Sequence, residues 1–235
     1  MTPLPTQGAP VAPPHGVGSG ALIYVVGPSG SGKDTLLRYA RDHLDESVPA
    51  AFAHRYITRP IAADSENHIA LSEAEFQARL HRQCLAMNWQ GHGHRYGVGR
   101  EIDLWMTVGM TVVVCGSREY LAEAAQRYPK LVPVLISVEA DILKQRITAR
   151  GREDEAEIEQ RLQRTLAVTC QHPALITLDN NGPIETAGNA LVEIITRFAM
   201  NPIRTPGDSP VLLGANPRRI RRLSAPSYIG RPERE

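Results

Sequence analysis

Residues 27–35 read GPSGSGKDT. Gly27, Gly30, Gly32 and Lys33 have the G-x-x-x-x-G-K spacing of a loop that wraps phosphate groups. In such a loop backbone N–H groups point inward at the anion, and the positive end of the following helix adds to their pull. The glycines let the backbone approach closely, and the lysine reaches the β- and γ-phosphates. Pro28, Ser29 and Ser31 fill the loop and Thr35 follows it. The departure is Asp34. The residue after the lysine normally carries a hydroxyl for Mg²⁺, and here it carries a carboxylate. Two readings stand side by side. Either Asp34 holds Mg²⁺, directly or through water, or its charge favours the helix start and the metal falls to Thr35.

Arginines supply the second feature. RITARGR presents Arg146, Arg150 and Arg152 around Gly151, and Arg161 and Arg164 follow three apart on one side of a helix. Arginines on a mobile lid neutralise charge on a phosphoryl group in transfer. HRYITR (54–59) sets Arg55 and Arg59 at a strand end, where they can clamp an anionic acceptor at the C-terminal edge of a sheet. In GHGHRYG (91–97), His94, Arg95 and Tyr96 are candidates to meet an acceptor phosphate. His92 and His94 lack the further ligands of a zinc site. No nucleophile–base pair stands out, and transfer onto a phosphate needs none. A phosphomonoester has a second pKa of about 6 and is largely dianionic near neutrality. Such a site must supply position and positive charge.

These residues need a scaffold. ALIYVV (21–26) reads as a buried parallel strand, and the segment from Lys33 has helical apolar spacing at Leu36, Leu37, Ala40 and Leu44. Strands are also predicted over 51–57, 84–89, 111–115, 131–138 and 174–178. Ser72 and Glu75 form a capping box opening a helix to Arg82, and further helices are predicted over 101–108, 117–128, 141–168 with a break at Gly151, and 184–198. Residues 90–100 read as a Gly-rich loop. Strands alternating with helices predict an α/β fold, a central parallel sheet with helices on both faces.

The 235 residues allow one sizeable domain. A net charge of +1 gives no sign of a nucleic-acid or membrane partner. Eleven of the 18 prolines lie in residues 1–19 and 201–235, which lack apolar periodicity and are predicted to be disordered tails around a domain at 20–200. The second tail carries seven Arg against three acidic residues, and its RRIRR run reads as a solvated basic segment. Cys84, Cys115 and Cys170 form no disulfide framework, and no apolar run approaches a membrane span. A soluble cytoplasmic protein is expected, and a homodimer is left open.

GPSGSGKD, the arginines around T-R-P, Y-G and R-x-x-x-R-G-R, in that order, resemble the guanylate kinase-like group of nucleoside monophosphate kinases. AHRYITR, SENHIALSEAEF, HGHRYGVGREIDLW and GRE are more similar to the ribose 1,5-bisphosphate phosphokinases of bacterial phosphonate breakdown. The resemblance spans residues 20–198 and neither tail. It implies a three-layer P-loop NTPase fold with a small acceptor-binding region and an Arg-rich lid. It also implies ATP as donor with Mg²⁺, ribose 1,5-bisphosphate as acceptor, and 5-phosphoribosyl 1-diphosphate as product. On it, Gly27 to Asp34 hold the ATP phosphates, and Arg55, Arg59 and Tyr96 hold the acceptor's phosphate. Arg146, Arg150 and Arg152 fall in the lid.

Two departures from guanylate kinases are informative. Those enzymes read guanine with a carboxylate and a small hydroxyl near Y-G, and the corresponding residues here are Gln90 and Val98. Base N–H donors left unpaired should cost discrimination in favour of guanine. The strand after the acceptor loop ends VVVCGS with no acid, so Asp34 on one reading replaces the missing carboxylate. The alternatives are a guanylate or other nucleoside monophosphate kinase, and a non-catalytic guanylate kinase-like binding module. A scaffold has no physical need for Gly32, Lys33 and the lid arginines.

Overall fold

LIYVV is apolar at every position and buried at every position, and it forms strand β1 (Leu22–Val26) in the middle of a parallel sheet. The computed structural model describes residues 20–60, 67–149, 163 and 168–201. The sheet runs in the order β2 (Ala50–Phe52), β7 (Thr111–Cys115), β1, β8 (Leu131–Ser137) and β9 (Ile176–Asp179). Every pairing within it is parallel.

Alternation along the strands divides the core. Ile23 and Val25 face one side with Val113, Val134 and Ile136. There they pack on Leu36 and Ala40 of α1 (Lys33–His43) and on Leu191 and Ile195 of α6 (Ile184–Met200). Leu22, Tyr24 and Val26 face the other side, against Ile102 of α3 (Glu101–Thr107) and Leu121 and Ala124 of α4 (Leu121–Arg127). The predicted layers are therefore present. Leu36 is fully buried, so truncating it would cost about 2–5 kcal/mol and loosen the helix that carries Lys33.

A second sheet has the order β4 (His68–Ala70), β3 (Arg55–Ile57), β6 (His94–Gly99), β5 (Leu85–Gly91). It corrects two predictions. The strand expected over 51–57 is two strands in two sheets. Ala53 N still bonds to Val113 O of the first sheet, whereas Arg55 N bonds to Asn67 O. The predicted loop over 90–100 is instead most of a hairpin. Gly91 pairs with His94, and the turn residues His92 and Gly93 have φ of 49° and 74°. Positive φ at both central residues is the two-residue turn that matches strand twist. Helix α2 (Glu73–His81) covers the outer face through Phe76 and Leu80, and Ser72 Oγ accepts from Glu75 N at 3.1 Å, as the capping box predicts.

Helix α5 (Ala140–Ala149) follows β8. Both predicted tails, save Asn201, and the predicted helix beyond Ala149, save Gln163 and Val168, lie outside the described residues.

Candidate active site

The phosphate loop leaves β1 and enters α1 at the C-terminal edge of the parallel sheet, where ligands bind in open α/β sheets. Gly32 stands before the first turn of α1 with φ 86°, and a Cβ there would lie 2.7 Å from Asn180 Nδ2. Only glycine fits both demands. At Gly30, φ 90°, a Cβ would meet Leu143 and Ile147 of α5 at 3.0 Å. Ser31 N donates to Pro28 O at 3.1 Å, closing the turn that includes Ser29.

Lys33 Nζ donates to the carbonyls of Gly27 and Pro28, at 2.8 Å each. The ammonium is thus folded onto the loop it serves. Burial pulls its pKa below the ordinary lysine value; Cys115 and Asp34 oppose that shift, and the positive charges of Arg55 and Arg118 add to it. Thr35 is exposed on α1.

Asp34 lies in the first turn of α1, where a negative charge is favourable. Its carboxylate also has a partner from the second sheet. Arg55 Nη2 donates to Asp34 Oδ1 at 2.7 Å, and Cys115 Sγ lies 3.8 Å from the same oxygen. The Arg55 side chain is 10% exposed and that of Asp34 38%. A cleft beside the loop is lined by Asp34, Arg38, Arg41, Arg55, Asn67 and Cys115.

The remaining acceptor candidates divide by strand alternation. Arg55 pairs with Val98 and Ile57 with Tyr96, so Tyr96 shares the face of Arg55. Its ring stacks on Trp89 at 5.7 Å. Arg59 follows β3, with Nε buried. His94 Nδ1 is 3.0 Å from Thr58 O, which fixes the ring beside the end of β3. Arg95 points the other way. Its Nε is held by Glu73 of α2, so it is not brought to Asp34 and Arg55. Gln90 is exposed, and Val98 is fully buried against Met87 and Ile102.

Of the lid candidates, Arg146 is within reach of the loop: a Cβ on Gly32 would lie 4.0 Å from its Nη1. That nitrogen and Ser31 Oγ are buried and have no hydrogen-bond partner among the described residues. Orphaned buried donors beside a phosphate loop are what a bound phosphate would satisfy. Arg150 and Arg152 lie outside the described residues.

Sequence reasoning misses Asn180. It is buried, and its Nδ2 donates to Ser31 O at 2.7 Å while its N–H bonds to Ser137 O at 2.9 Å. It joins the loop to β8. The available signal is its position, a polar residue directly after a strand that ends at the same sheet edge.

No family model matches the chain. Curated relatives do. The chain is 55% identical over 174 residues to the ribose 1,5-bisphosphate phosphokinase PhnN of Desulfomicrobium baculatum, covering 74% of this chain and 93% of that protein. It is 48% identical over 177 residues to the protein of the same name from Thiobacillus denitrificans, covering 75% and 93%. The Psychromonas ingrahamii protein of that name is 46% identical over 183 residues, covering 77% and 92%. Among solved structures, guanylate kinase from Anaplasma phagocytophilum superposes with a TM-score of 0.58 at 15% identity, covering 86% of this chain and 98% of that one, a likeness of fold. No helix among the described residues is long and apolar enough to cross a membrane. With about half of the aligned residues identical to these relatives across most of their length, the chain belongs to the ribose 1,5-bisphosphate phosphokinase PhnN family.

Proposed function

We propose that this protein transfers the γ-phosphoryl group of ATP to the 1-phosphate of ribose 1,5-bisphosphate, giving 5-phosphoribosyl 1-diphosphate and ADP. An oxygen of the acceptor's 1-phosphate attacks the γ-phosphorus. The bond from that phosphorus to the β,γ-bridging oxygen breaks, and its electron pair stays on the β-phosphate of ADP. A dianionic phosphate carries no proton to remove, so no general base is required. The observation that carries this reading is the 2.7 Å pair between Asp34 of the phosphate loop and Arg55 of the second sheet. On this reading the Arg55 guanidinium, next to the loop that takes the donor, is available to an acceptor's phosphate.

Each residue has a task in this scheme. The loop from Gly27 to Thr35 wraps the donor phosphates, and Lys33 exchanges the Gly27 and Pro28 carbonyls for phosphate oxygens. Arg146 offers its buried Nη1 to the same group. Arg150 and Arg152 are proposed to join it. Arg55, Arg59, His94 and Tyr96 receive the acceptor, and Arg95, held by Glu73, orders the hairpin from behind.

Mg²⁺ suits the donor set as an ion carried in on the nucleotide. Asp34 and Thr35 offer hard oxygen ligands beside the loop, and the described residues include no group of three or more His, Cys, Asp or Glu that could hold an ion unaided. Thr35 or Asp34 would hold it, and when bound it would supply neutralisation of phosphate charge.

Guanine recognition finds less support. Val98 is sealed in the apolar core and offers no polar group to a base. Incubation with ATP and Mg²⁺, with ribose 1,5-bisphosphate and GMP in one tube, separates the two readings by ³¹P NMR. Consumption of the sugar bisphosphate with GMP left intact is expected. Formation of GDP with the sugar untouched would overturn the proposal.

A further inference from the structure

The cleft beside the phosphate loop extends past the residues that the scheme above uses. Asp34, Leu37, Arg38 and Arg41 line it from α1. Spaced three, four and seven residues from Asp34, the other three share its face of the helix. At a rise of about 1.5 Å per residue, Arg38 stands about 6 Å and Arg41 about 10 Å along the axis from Asp34. The cleft therefore runs down α1 from the Asp34–Arg55 pair toward Arg41. The facing wall is the crossing from the first sheet to the second. Phe52 ends β2, Ala53 N still bonds to Val113 O, and Arg55 opens β3. Asn67 holds that crossing together. Its carbonyl accepts from Arg55 N at 3.1 Å, and its Nδ2 lies 3.4 Å from the carbonyls of Phe52 and Ala53.

Among the described residues this lining holds three arginines and one acid. Much of the rest is apolar, from Leu37, Phe52, Ala53 and Val113. A guanidinium carries five N–H donors in a flat fork, so a partner at one edge orients it without using it up. Asp34 does this for Arg55. Asp42 stands 4.0 Å from Arg41 Nε, with both side chains about half exposed, where such a contact is worth little. Arg38 and Arg41 are both exposed, so a ligand can reach them from solvent. Arginines on a helix surface need no ligand to be there. What sets this pair apart is that they share one cleft with Arg55, which the proposed reaction gives to the acceptor.

We propose that Arg38 and Arg41 of α1 form the subsite for the 5-phosphate of ribose 1,5-bisphosphate, while Arg55 meets the 1-phosphate at the loop end of the same cleft. This rests on the reaction proposed above and names what selects its acceptor. The acceptor brings two phosphate groups on one sugar, each carrying about −1.5 to −2 charge near neutrality. A cleft with arginines at both ends and apolar walls suits a sugar with a phosphate at each end. A nucleoside monophosphate has one phosphate and fills half of it.

The test uses the full chain with the double substitution Arg38→Gln, Arg41→Gln. At saturating ATP it should lower kcat/KM for ribose 1,5-bisphosphate about 30-fold, as for loss of charge-assisted bonds to one phosphate. Ribose 5-phosphate and ribose 1-phosphate, each carrying one of the two groups, then locate the loss. As inhibitors competing with the bisphosphate, the first should weaken about tenfold or more in the double variant, and the second less than about threefold. Arg38→Lys with Arg41→Lys keeps the charge and should recover part of the loss. A role confined to the helix surface would not depend on which phosphate the ligand carries. A Tm within about 2 °C of the unsubstituted protein shows that the fold is intact. Unchanged acceptor kinetics, an equal loss for both monophosphates, or failure of ribose 5-phosphate to compete in the unsubstituted protein would overturn the subsite. Calorimetry with ribose 1,5-bisphosphate separates this from the reaction itself. Binding without turnover by the unsubstituted protein would sink the proposed reaction and leave the subsite to be judged by the same comparison of the two monophosphates as competitors of binding. No binding by the unsubstituted protein would overturn both.

Discussion

Asp34 Oδ1 and Arg55 Nη2 lie 2.7 Å apart, and through that bond the phosphate loop is joined to β3 of the second sheet. The carboxylate that looks misplaced in an anion-binding loop answers a guanidinium arriving from another sheet. Without Asp34 a largely buried arginine loses an ion pair that orients it, and a phosphate nearby would then have to fix the guanidinium itself.

Asp34→Ala should therefore act on the acceptor more than on the donor. The KM for ribose 1,5-bisphosphate should rise about tenfold, with ATP affinity held within about threefold. A double-substitution cycle with Arg55→Ala should give a coupling of about 1–2 kcal/mol in kcat/KM. Additive effects would show that the two residues act separately.

Asp34→Asn tests the metal. Asparagine keeps an oxygen for Arg55 and gives up the charge. If pairing with Arg55 is the main task of Asp34, the Mg²⁺ concentration for half-maximal rate should move by less than about threefold. A shift of about tenfold or more would make Asp34 a metal ligand and leave Thr35 a bystander.

Asn180→Ala removes a buried donor to Ser31 O. The lost bond and the stranded carbonyl should cost about 1–3 kcal/mol. For a domain of this size that lowers Tm by roughly 2–10 °C. ATP affinity should fall with it, because the loop loses its tie to β8. A normal Tm and normal ATP binding would mean that the loop holds its shape alone.

The pH dependence of ATP binding follows from Lys33. Burial lowers the free-enzyme pKa below the ordinary 10.5, whereas bound phosphates favour the charged form and raise it. The complex then holds more protons than the free protein between those two pKa values. ATP affinity should be flat below the lowered pKa and should fall as pH rises through it, by up to about tenfold per pH unit. Proton uptake on binding should appear in the same window. Lys33→Arg, charged throughout, should bind ATP with no such fall. A flat profile in the unsubstituted protein would contradict the buried, phosphate-seeking lysine.

What was legible in the sequence is what local pattern encodes. The strand, glycine loop and helix from Leu22 to His43 are contiguous, so their periodicities and φ requirements all lie within one short window. β7 reads as a strand because five consecutive residues are buried and mostly β-branched. The second sheet is harder, since β3 and β4 are three residues each and β6, which pairs with β3, is rich in glycine. Arg95 illustrates the limit. The hairpin register turns it toward Glu73, and a one-residue change of face is invisible until the strand pairing is known. The joints of the site lie beyond local pattern altogether. Asp34 and Arg55 are 21 residues apart, and Ser31 and Asn180 are 149 apart.

The most direct test of phosphoryl transfer to the 1-phosphate follows the transferred atoms. ATP carrying ¹⁸O on its γ-phosphate is incubated with the protein, Mg²⁺ and ribose 1,5-bisphosphate, and the products are read by ³¹P NMR. Transfer to the 1-phosphate gives an isotope shift on the terminal phosphorus of a new diphosphate at C1, with the 5-phosphate unshifted. Label on the 5-phosphate, or in inorganic phosphate with no diphosphate formed, would contradict it.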